Sequence, residues 1–231
     1  EISNINGSVI TEISLTSMEC LLVYLILVFG IIWISTASKS CRMIFFTLIP
    51  LITVLFTVSK KQHLNQEKIT VYAVKGHTSI DFITGNKHIL LADSNLLNDL
   101  QLQSFYLEGN WVDHGLKKPI MIDINNDTTI IEKGIVFKKH GAFIYFNGMR
   151  TMIFNDMPPG SCLLHRQDLF IIMRVKDILA IQNIKSSGPI ILDGNLPGYQ
   201  KRRIKESFSK ESLKFWDVLE QGAYNIDFTG Q

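Results

Sequence analysis

The sequence predicts a membrane-anchored protein of mixed α+β and α/β class, with two N-terminal transmembrane helices followed by one polar domain. Two long apolar runs occur before residue 60, and the rest of the chain alternates short β-type segments with helical ones. With 46% hydrophobic and 19% charged residues among 231, the composition allows an apolar anchor and one domain core. It also argues against disorder.

Neither apolar run contains a charged residue: the first extends over residues 20–38 and the second over 43–59. At about 1.5 Å per residue, runs of 19 and 17 residues can cross a hydrocarbon core of about 30 Å, the second only just. The first run is apolar on every face, whereas a buried core helix usually keeps a polar stripe. We therefore predict an extramembrane lead-in (1–17) and a membrane region (18–59). Its helices are expected at about 20–37 and 42–59, the second one kinked at Pro50.

The charges that flank these helices predict their orientation. Lys39 and Arg42 lie between the two helices, whereas residues 1–19 contain three glutamates and no Lys or Arg, which also excludes a signal peptide. Since basic residues are retained on the cytoplasmic side, the loop is predicted inside and both flanks outside. Lys60 and Lys61 favour the opposite orientation. The chain does not open with an initiator methionine, so we expect a longer parent protein.

The first half of the polar domain (60–231) predicts hairpins and one helix. Residues 68–93 alternate apolar and polar side chains around turn residues at 84–87, which is typical of a β-hairpin. A helix with Ser94 or Asn95 as N-cap is predicted next. Its apolar face consists of Leu96, Leu97, Leu100 and Phe105. After a loop, residues 134–154 predict three short strands with turns at His140-Gly141 and Asn147-Gly148.

The last third of the chain predicts a parallel α/β layer. Residues 168–175 and 188–194 contain continuous apolar runs, as expected for strands buried on both faces. The other predicted elements are helices at 176–184 and from Pro197 onward, and closing strands at 213–218 and 222–228. Strand–helix–strand order indicates parallel pairing, so the domain is expected to hold two sheets flanked by helices.

Histidine spacing gives little support to a metal site. The six histidines are His63, His77, His88, His114, His140 and His165. No two are closer than 11 residues, so no pair can hold a metal from one helical turn or one strand. His77 and Asp81 are the nearest candidates, but positions four apart in a strand are separated by about 13 Å. We interpret both as solvent-facing strand residues and predict no metal and no cofactor.

Other catalytic motifs are also missing. The chain contains no G-x-S-x-G, G-x-x-x-x-G-K-[ST] or G-x-G-x-x-G sequence, so no nucleophile elbow or phosphate loop is predicted. Cys162 and His165 are three residues apart, a spacing that is common by chance. Cys20 and Cys41 flank the first apolar run, which leaves Cys162 alone in the polar domain without a disulfide framework. We therefore predict no catalytic residues.

One basic cluster is a candidate for nucleic-acid or phosphate contact. It lies at the start of the helix after Pro197 and consists of Lys201, Arg202, Arg203 and Lys205. Most such runs are solvated helix faces. From residue 60 onward the chain has 21 basic and 18 acidic residues, a net charge of +3, which is too mild to imply nucleic-acid binding by itself.

Residues 13–228 resemble the C-terminal third of ComEC-type competence proteins, which are integral membrane channels for DNA uptake. The phrase "ITVYAVKGHTSIDFITGNKHILLAD" is similar to the opening hairpins of their metallo-β-lactamase-like domain, with Gly76 and Asp93 in the places of the turn glycine and the strand-ending Asp. "EISLTSMECLLVYLILVFGIIWI" resembles the segment before their last membrane helices. "FWDVLEQGAYNIDF" resembles the closing hairpin, with residues 221–223 at its turn.

The resemblance implies a degenerate metallo-β-lactamase-like αββα domain over residues 60–231. Active members of that superfamily carry an H-x-H-x-D-H cluster after the second hairpin, whereas His114 is the only histidine between Asp93 and Gly134 here. Without imidazole ligands no metal-bound hydroxide forms. The positions that the resemblance assigns to the fold are Gly76, Asp81, Asp93, Asp193, Gly194 and Gly222.

The function that the resemblance implies is uptake of single-stranded DNA in natural transformation. It places a multi-pass protein in the bacterial inner membrane, with the polar domain on the outer side as a non-catalytic scaffold or DNA guide. The implied partners are single-stranded DNA, the membrane, other competence-machinery proteins and the remainder of the parent channel. Two alternatives stay open. One is a membrane-anchored nuclease or hydrolase that uses Asp81, Asp93 and His77 as an unusual metal site. The other is a membrane-anchored interaction module.

Overall fold

The computed structural model describes residues 17–36, 38–132, 134–155, 168–174, 188–210 and 213–228. The predicted helix at 176–184 and the pair Cys162 and His165 lie outside these residues. The N-terminal part is a hairpin of two long helices, α1 (Ser17–Thr36) and α2 (Lys39–Leu64). Both are long and apolar enough to cross a membrane, and only 11% and 6% of their most apolar windows are buried.

The helices pack antiparallel. Near the connecting loop, the rings of Trp33 and Phe45 lie 5.7 Å apart. At the opposite end, Ser59 Oγ donates a hydrogen bond of 3.0 Å to Glu19 Oε1. Helix α2 continues through Pro50 to Leu64, so it extends beyond the predicted end at 59 and leads directly into the first strand.

Twelve strands occur in the described part of the polar domain. They are β1 (Glu67–Val71), β2 (Ser79–Thr84), β3 (Lys87–Ala92), β4 (Ile120–Asp123), β5 (Thr128–Glu132), β6 (Ile135–His140), β7 (Phe143–Phe146), β8 (Met149–Asn155), β9 (Leu169–Arg174), β10 (Ile190–Leu192), β11 (Phe215–Asp217) and β12 (Tyr224–Asp227). They form a five-stranded sheet of order β12-β1-β2-β3-β4 and a seven-stranded sheet of order β11-β10-β9-β8-β7-β6-β5. The prediction of two sheets is confirmed.

Helices cover the outer faces of both sheets. The helical segment over the five-stranded sheet comprises α3 (Ser94–Asn98), α4 (Leu100–Gln103), a π-helical turn (Ser104–Glu108) and α5 (Gly109–Asp113). The helix α6 (Gly198–Lys210) lies over the seven-stranded sheet and buries Ile204 and Phe208 against it. A third apolar core lies between the sheets and contains Phe82, Phe137 and Phe146. The layer order is therefore helix–sheet–sheet–helix.

Local turn chemistry fixes the hairpins. Between β2 and β3 the turn consists of Gly85 and Asn86, within the predicted segment 84–87. Asn147 and Gly148 connect β7 and β8, and both have positive φ, 43° and 98°, as a two-residue hairpin turn requires. Strands β8, β9, β10 and β11 pair in parallel, which confirms the predicted parallel layer in the last third.

Three element predictions are wrong. The segment after the helical region is not only a loop, because it contains β4 and β5 at the edges of the two sheets. The last two strands do not form a closing hairpin. β11 pairs in parallel with β10, whereas β12 pairs antiparallel with β1 in the other sheet. The chain crosses between the sheets through α7 (Val218–Gln221) and Gly222, whose φ is 87°.

The third error concerns the helix that was predicted to begin at Ser94 or Asn95. Its N-cap is Asp93, whose side chain accepts from Leu96 N, rather than Ser94 or Asn95. Asp99 then ends α3 and caps α4 through Gln101 N and Leu102 N. Because the segment restarts at this point, Leu100 and Phe105 are 74% and 80% exposed instead of lying on one buried face.

Candidate functional site

The residues that could carry chemistry gather where strands of both sheets end. Asp93 follows β3, Asp193 follows β10, and Asp217 ends β11. The loop at 72–78, between β1 and β2, lies against the first two of these positions. We call these three aspartates and this loop the carboxyl rim.

Asp93 is held by its neighbours on the rim. His77 Nδ1 lies 3.0 Å from Asp93 Oδ1, and Thr78 N donates to Asp93 Oδ2 at 2.9 Å. Leu96 N donates to Asp93 Oδ1 at 3.1 Å as the N-terminal cap of α3. His77 therefore lies in a turn and pairs with a carboxylate. Its interpretation as a solvent-facing strand residue is wrong.

Asp193 is a fully buried carboxyl group. Its Oδ2 accepts from Thr78 Oγ1 at 2.5 Å and from Asn195 N at 3.2 Å. Its Oδ1 has no hydrogen-bond partner within the described part of the chain. Burial raises the pKa of Asp193 from 3.8 to about 6, because the ionised form loses solvation. Asp193 thus changes protonation near neutral pH.

Backbone contacts lock the rim loop to the end of β10. Gly76 N donates to Gly194 O at 3.0 Å, and Gly76 has a φ of 79°, which favours glycine. A Cβ atom on Gly194 would lie 2.1 Å from the carbonyl oxygen of Val74. Glycine is required at position 194 because the loop at 72–78 and the end of β10 approach each other too closely for any side chain.

The structure divides the predicted basic cluster. Lys201 is buried and its Nζ lies 2.7 Å from Asp217 Oδ1, while Lys205 Nζ lies 2.6 Å from Asp217 Oδ2 and 2.7 Å from Glu220. Arg202 and Arg203 are exposed, and Arg202 pairs with Glu206 at 3.2 Å.

These contacts set the charge at Asp217 and Lys205. Burial by itself would raise the pKa of Asp217, but hydrogen bonds from Lys201 and Lys205 outweigh it and leave the pKa below its ordinary value. Burial by itself would lower the pKa of Lys205, but hydrogen bonds to Asp217 and Glu220 raise it. The positive charges of Lys201 and Lys205 are therefore balanced by the neighbouring carboxylates of Asp217 and Glu220.

A groove of about 730 Å³ runs beside this cluster. It is lined by both signs of charge, with Lys201, Arg202, Lys205 and Lys210 on one hand and Glu206 and Glu220 on the other. Of the four predicted basic residues, only the two arginines present their charge outward.

Asp81 does not belong to the rim. It is fully buried under the helical segment and accepts hydrogen bonds from Tyr72 Oη at 3.1 Å and Trp111 Nε1 at 3.0 Å. His88 Nδ1 lies 2.7 Å from Asp81 Oδ1, and His88 Nε2 lies 2.7 Å from Lys117 O. Both ring nitrogens of His88 lie within hydrogen-bond distance of an oxygen atom, so the ring connects β2 to the loop at Lys117. The interpretation of Asp81 as solvent-facing is wrong.

This geometry also separates the residues of the alternative metal site. His77 and Asp93 contact each other, whereas Asp81 binds His88 in the core. Among the described residues, no group of three or more His, Cys, Asp and Glu side chains could hold a metal ion. Sequence reasoning missed Thr78, Asp217 and the Asp81–His88 pair. The useful pattern was an Asp at the end of each buried strand, in "LLAD", "IILD" and "KFWD".

Gly222 lies at the crossing between the two sheets, where its carbonyl oxygen accepts a hydrogen bond of 2.9 Å from Trp216 Nε1. Together, the observations describe a four-layer polar domain behind two candidate membrane spans, with a rim of internally paired carboxylates. A family model described as the ComEC C-terminal domain matches residues 69–228, more than half of the chain. No curated protein and no solved structure matches the chain significantly.

Proposed function

The chain belongs to the ComEC C-terminal domain family, and on this premise we propose that it forms the C-terminal part of a membrane channel for single-stranded DNA in natural transformation. The family match is the observation that carries the proposal. In this proposal the polar domain lies on the outer side of the bacterial inner membrane and acts as a non-catalytic scaffold or DNA guide. Its partners are the remainder of the channel and other proteins of the competence machinery.

The physical need for a channel follows from the charge of DNA. A single strand carries one negative charge per nucleotide, so it cannot enter hydrocarbon and needs a polar path. From Cys20 to Ser38 and from Met43 to Ser59 the chain has no charged residue. We therefore assign α1 and α2 to the anchor and the wall of the channel, and the path itself mainly to the rest of the parent protein.

The non-catalytic role is supported by the way the rim carboxylates are used. Asp93 caps α3 and pairs with His77, and Asp217 pairs with Lys201 and Lys205. These side chains already stabilise the fold. The helix–sheet–sheet–helix order supports the further proposal that the domain is a metallo-β-lactamase-like fold without metal ligands.

A binding experiment tests the guide role. Arg202 and Arg203 are exposed cations on α6, the helix whose Lys201 and Lys205 bind Asp217 of the rim, so they are the proposed phosphate contacts. The full chain in lipid nanodiscs is titrated with a fluorescent thirty-nucleotide oligothymidine over a salt series. We expect R202Q/R203Q to weaken binding about 3- to 10-fold and to reduce the slope of log K against log salt by about 1.4, since each contact to a single strand contributes about 0.7.

The control has the same change in charge at another surface. Lys117 and Lys118 are exposed and lie in the segment that contacts the end of α2. The K117Q/K118Q variant is expected to bind the oligonucleotide like the wild type. Equal affinity of R202Q/R203Q and the wild type would contradict the guide role, and absent or salt-insensitive binding by every variant would favour the interaction module.

The nuclease alternative is tested separately. The full chain is incubated with labelled single-stranded DNA and Mg²⁺, Mn²⁺ or Zn²⁺, and its metal content is determined by elemental analysis. We expect no cleavage above background and well under one zinc ion per chain. Stoichiometric zinc, or cleavage that Asp93→Ala abolishes in a folded protein, would establish the enzyme instead.

A further inference from the structure

A loop of the polar domain is tied to the end of α2. Gln66 is buried, and its Nε2 donates to Gly85 O at 2.8 Å and to His114 O at 2.9 Å. His63 packs so closely on Gly115 that a Cβ there would lie 2.8 Å from His63 Nδ1. These contacts hold the loop at 114–118 beside the last turn of the helix.

Four exposed lysines lie on the two segments that form this junction. Lys60 and Lys61 lie on the last turns of α2, and Lys117 and Lys118 lie in the loop at 114–118, where Lys117 N donates to Asn86 O at 2.9 Å. We call these four residues the lysine collar. No carboxylate in the described ranges forms an ion pair with any of them, in contrast to Lys201 and Lys205 of α6, which pair with Asp217.

The collar lies where the apolar part of α2 ends. The uncharged run stops at Ser59, so Lys60 and Lys61 occupy the first positions beyond the hydrocarbon span. A groove of about 780 Å³ continues from Val58 toward the domain, and Lys61 and Lys68 lie in its wall together with Asp113 and Asp227. This groove wall therefore carries two lysines and two carboxylates, and Lys61 is the collar residue that it includes.

We propose that the lysine collar binds anionic phospholipid headgroups of the leaflet that faces the polar domain. Lysines beside a span are attracted to the negative surface of anionic lipid, and these four have no competing carboxylate partner in the described structure. Lipid is favoured over nucleic acid because the collar directly follows the span, where headgroup phosphates are always present. The inference goes beyond DNA uptake and needs only that α2 spans the membrane.

The collar also accounts for the conflict in the charge pattern. Lys60 and Lys61 argue for a cytoplasmic position of the domain if every flanking lysine reports topology. A lysine that binds headgroup phosphate serves a different purpose. Lys39 and Arg42, at the other end of the hairpin, are then the basic residues that determine the orientation of the helices in the membrane.

Lysine footprinting tests the proposal on the full chain. The protein is placed in nanodiscs of pure phosphatidylcholine or of phosphatidylcholine with about 30% phosphatidylglycerol, and each lysine's acylation rate by a neutral reagent is measured by mass spectrometry. We expect the rates at the four collar lysines to fall about 3- to 10-fold in the anionic nanodiscs. Lys138 and Lys210, which are exposed elsewhere, are expected to change less than 2-fold. Equal rates in both lipids, or equal protection of all lysines, would overturn the proposal.

A second measurement identifies the ligand. Native mass spectrometry counts phosphatidylglycerol molecules retained by the wild type, by K60Q/K61Q/K117Q/K118Q and by the charge-matched control R202Q/R203Q/K138Q/K210Q. We expect at least a 2-fold loss for the collar variant and none for the control. Protection of the collar by oligothymidine or by free phosphate in neutral nanodiscs, at the level given by phosphatidylglycerol, would contradict a lipid site. The DNA titration depends on Arg202 and Arg203 of α6, so the DNA test and the lipid test can each fail without the other.

Discussion

At the residue scale, the Asp81 carboxylate joins the helical segment to the five-stranded sheet. It lies on β2, and it binds His88 from β3 and Trp111 from α5. The Tyr72 hydroxyl contacts the same carboxylate, and burial raises the pKa of Tyr72 so that the phenol stays neutral. One buried carboxyl group therefore joins partners from β3, α5 and the loop at 72–78.

We expect Asp81→Ala to reduce the free energy of unfolding by about 3–5 kcal/mol, because it leaves three buried groups, the His88 ring, Tyr72 Oη and Trp111 Nε1, without their shared partner. The measurement is urea unfolding of the full chain in detergent micelles, followed by tryptophan fluorescence. Glu206→Ala is the control, since Glu206 and its partner Arg202 are 61% and 84% exposed on α6 and a surface pair contributes less than about 1 kcal/mol. Similar losses for both variants would contradict the role of Asp81.

Asp193 predicts an unusual dependence of stability on pH. Its pKa rises from 3.8 to about 6 on folding, so the folded state binds more protons than the unfolded state between these values. Stabilisation by the protonated group is complete below about pH 3.8 and is lost as the pH rises through about 6. The full effect corresponds to about 3 kcal/mol at most.

The measurement is the difference in unfolding free energy between wild type and Asp193→Asn at pH 4 and pH 7.5. We expect the wild type to lose up to about 3 kcal/mol relative to the variant over this interval. Asp123→Asn is the control. A hydrogen bond from Ser94 lowers the pKa of Asp123, so its contribution changes only below about pH 4. A constant difference for Asp193→Asn would show that its carboxyl ionises normally.

At the element scale, the junction between the rim loop and β10 depends on close backbone packing. Gly194→Ala is expected to cost several kcal/mol or to prevent folding, because its Cβ would overlap the backbone carbonyl group of Val74, which His77 N holds in place by a hydrogen bond of 3.2 Å. At Gly198 no atom lies within 4 Å of the added Cβ, so Gly198→Ala should be neutral or stabilise α6 slightly. Thermal unfolding of both variants tests this, and equal stability would contradict the predicted clash.

The elements that the sequence predicts correctly are those fixed by local chemistry. Gly85 and the Asn147-Gly148 pair specify their hairpins, and the continuous apolar runs of β9 and β10 indicate strands covered on both sides. The alternation of apolar and polar residues around β2 predicts that one face of the strand is exposed to solvent. That face is buried in the structure because the helical segment covers it. A single strand pattern contains no information about a distant covering layer, which is why Asp81 was misinterpreted.

The remaining errors arise from contacts that are distant in sequence. β12 pairs with β1, which lies more than 150 residues earlier in the chain. The prediction of a hairpin between β11 and β12 relied on their closeness in sequence and was therefore wrong. The rim likewise depends on Thr78 meeting Asp193 and on Lys201 meeting Asp217. Single residues of the rim were recognised as parts of the fold, but their partners could be found only from the sheet order.

At the scale of the whole molecule, β2 separates two surfaces with different charge pairing. Its first residue follows Thr78 on the rim, and its last precedes Gly85, which contacts Gln66 at the end of α2. Six residues of strand span about 20 Å, so the rim and the lysine collar lie at opposite ends of the domain. Lipid bound at the lysine collar and DNA bound at Arg202 and Arg203 would therefore not compete for the same side chains.

The orientation of the hairpin is the last prediction, and two native cysteines report it. Cys20 lies at the start of α1 on the domain side, and Cys41 lies at the start of α2 on the loop side. Single-cysteine variants made by Ser substitution at the other two positions are treated with a membrane-impermeant maleimide in spheroplasts. We expect Cys20 to be labelled at once and Cys41 only after permeabilisation, because Lys39 and Arg42 hold the loop inside. Ser209→Cys, exposed on α6, is the control for the domain side and should be labelled with Cys20. Labelling of Cys41 alone in intact spheroplasts would reverse the orientation.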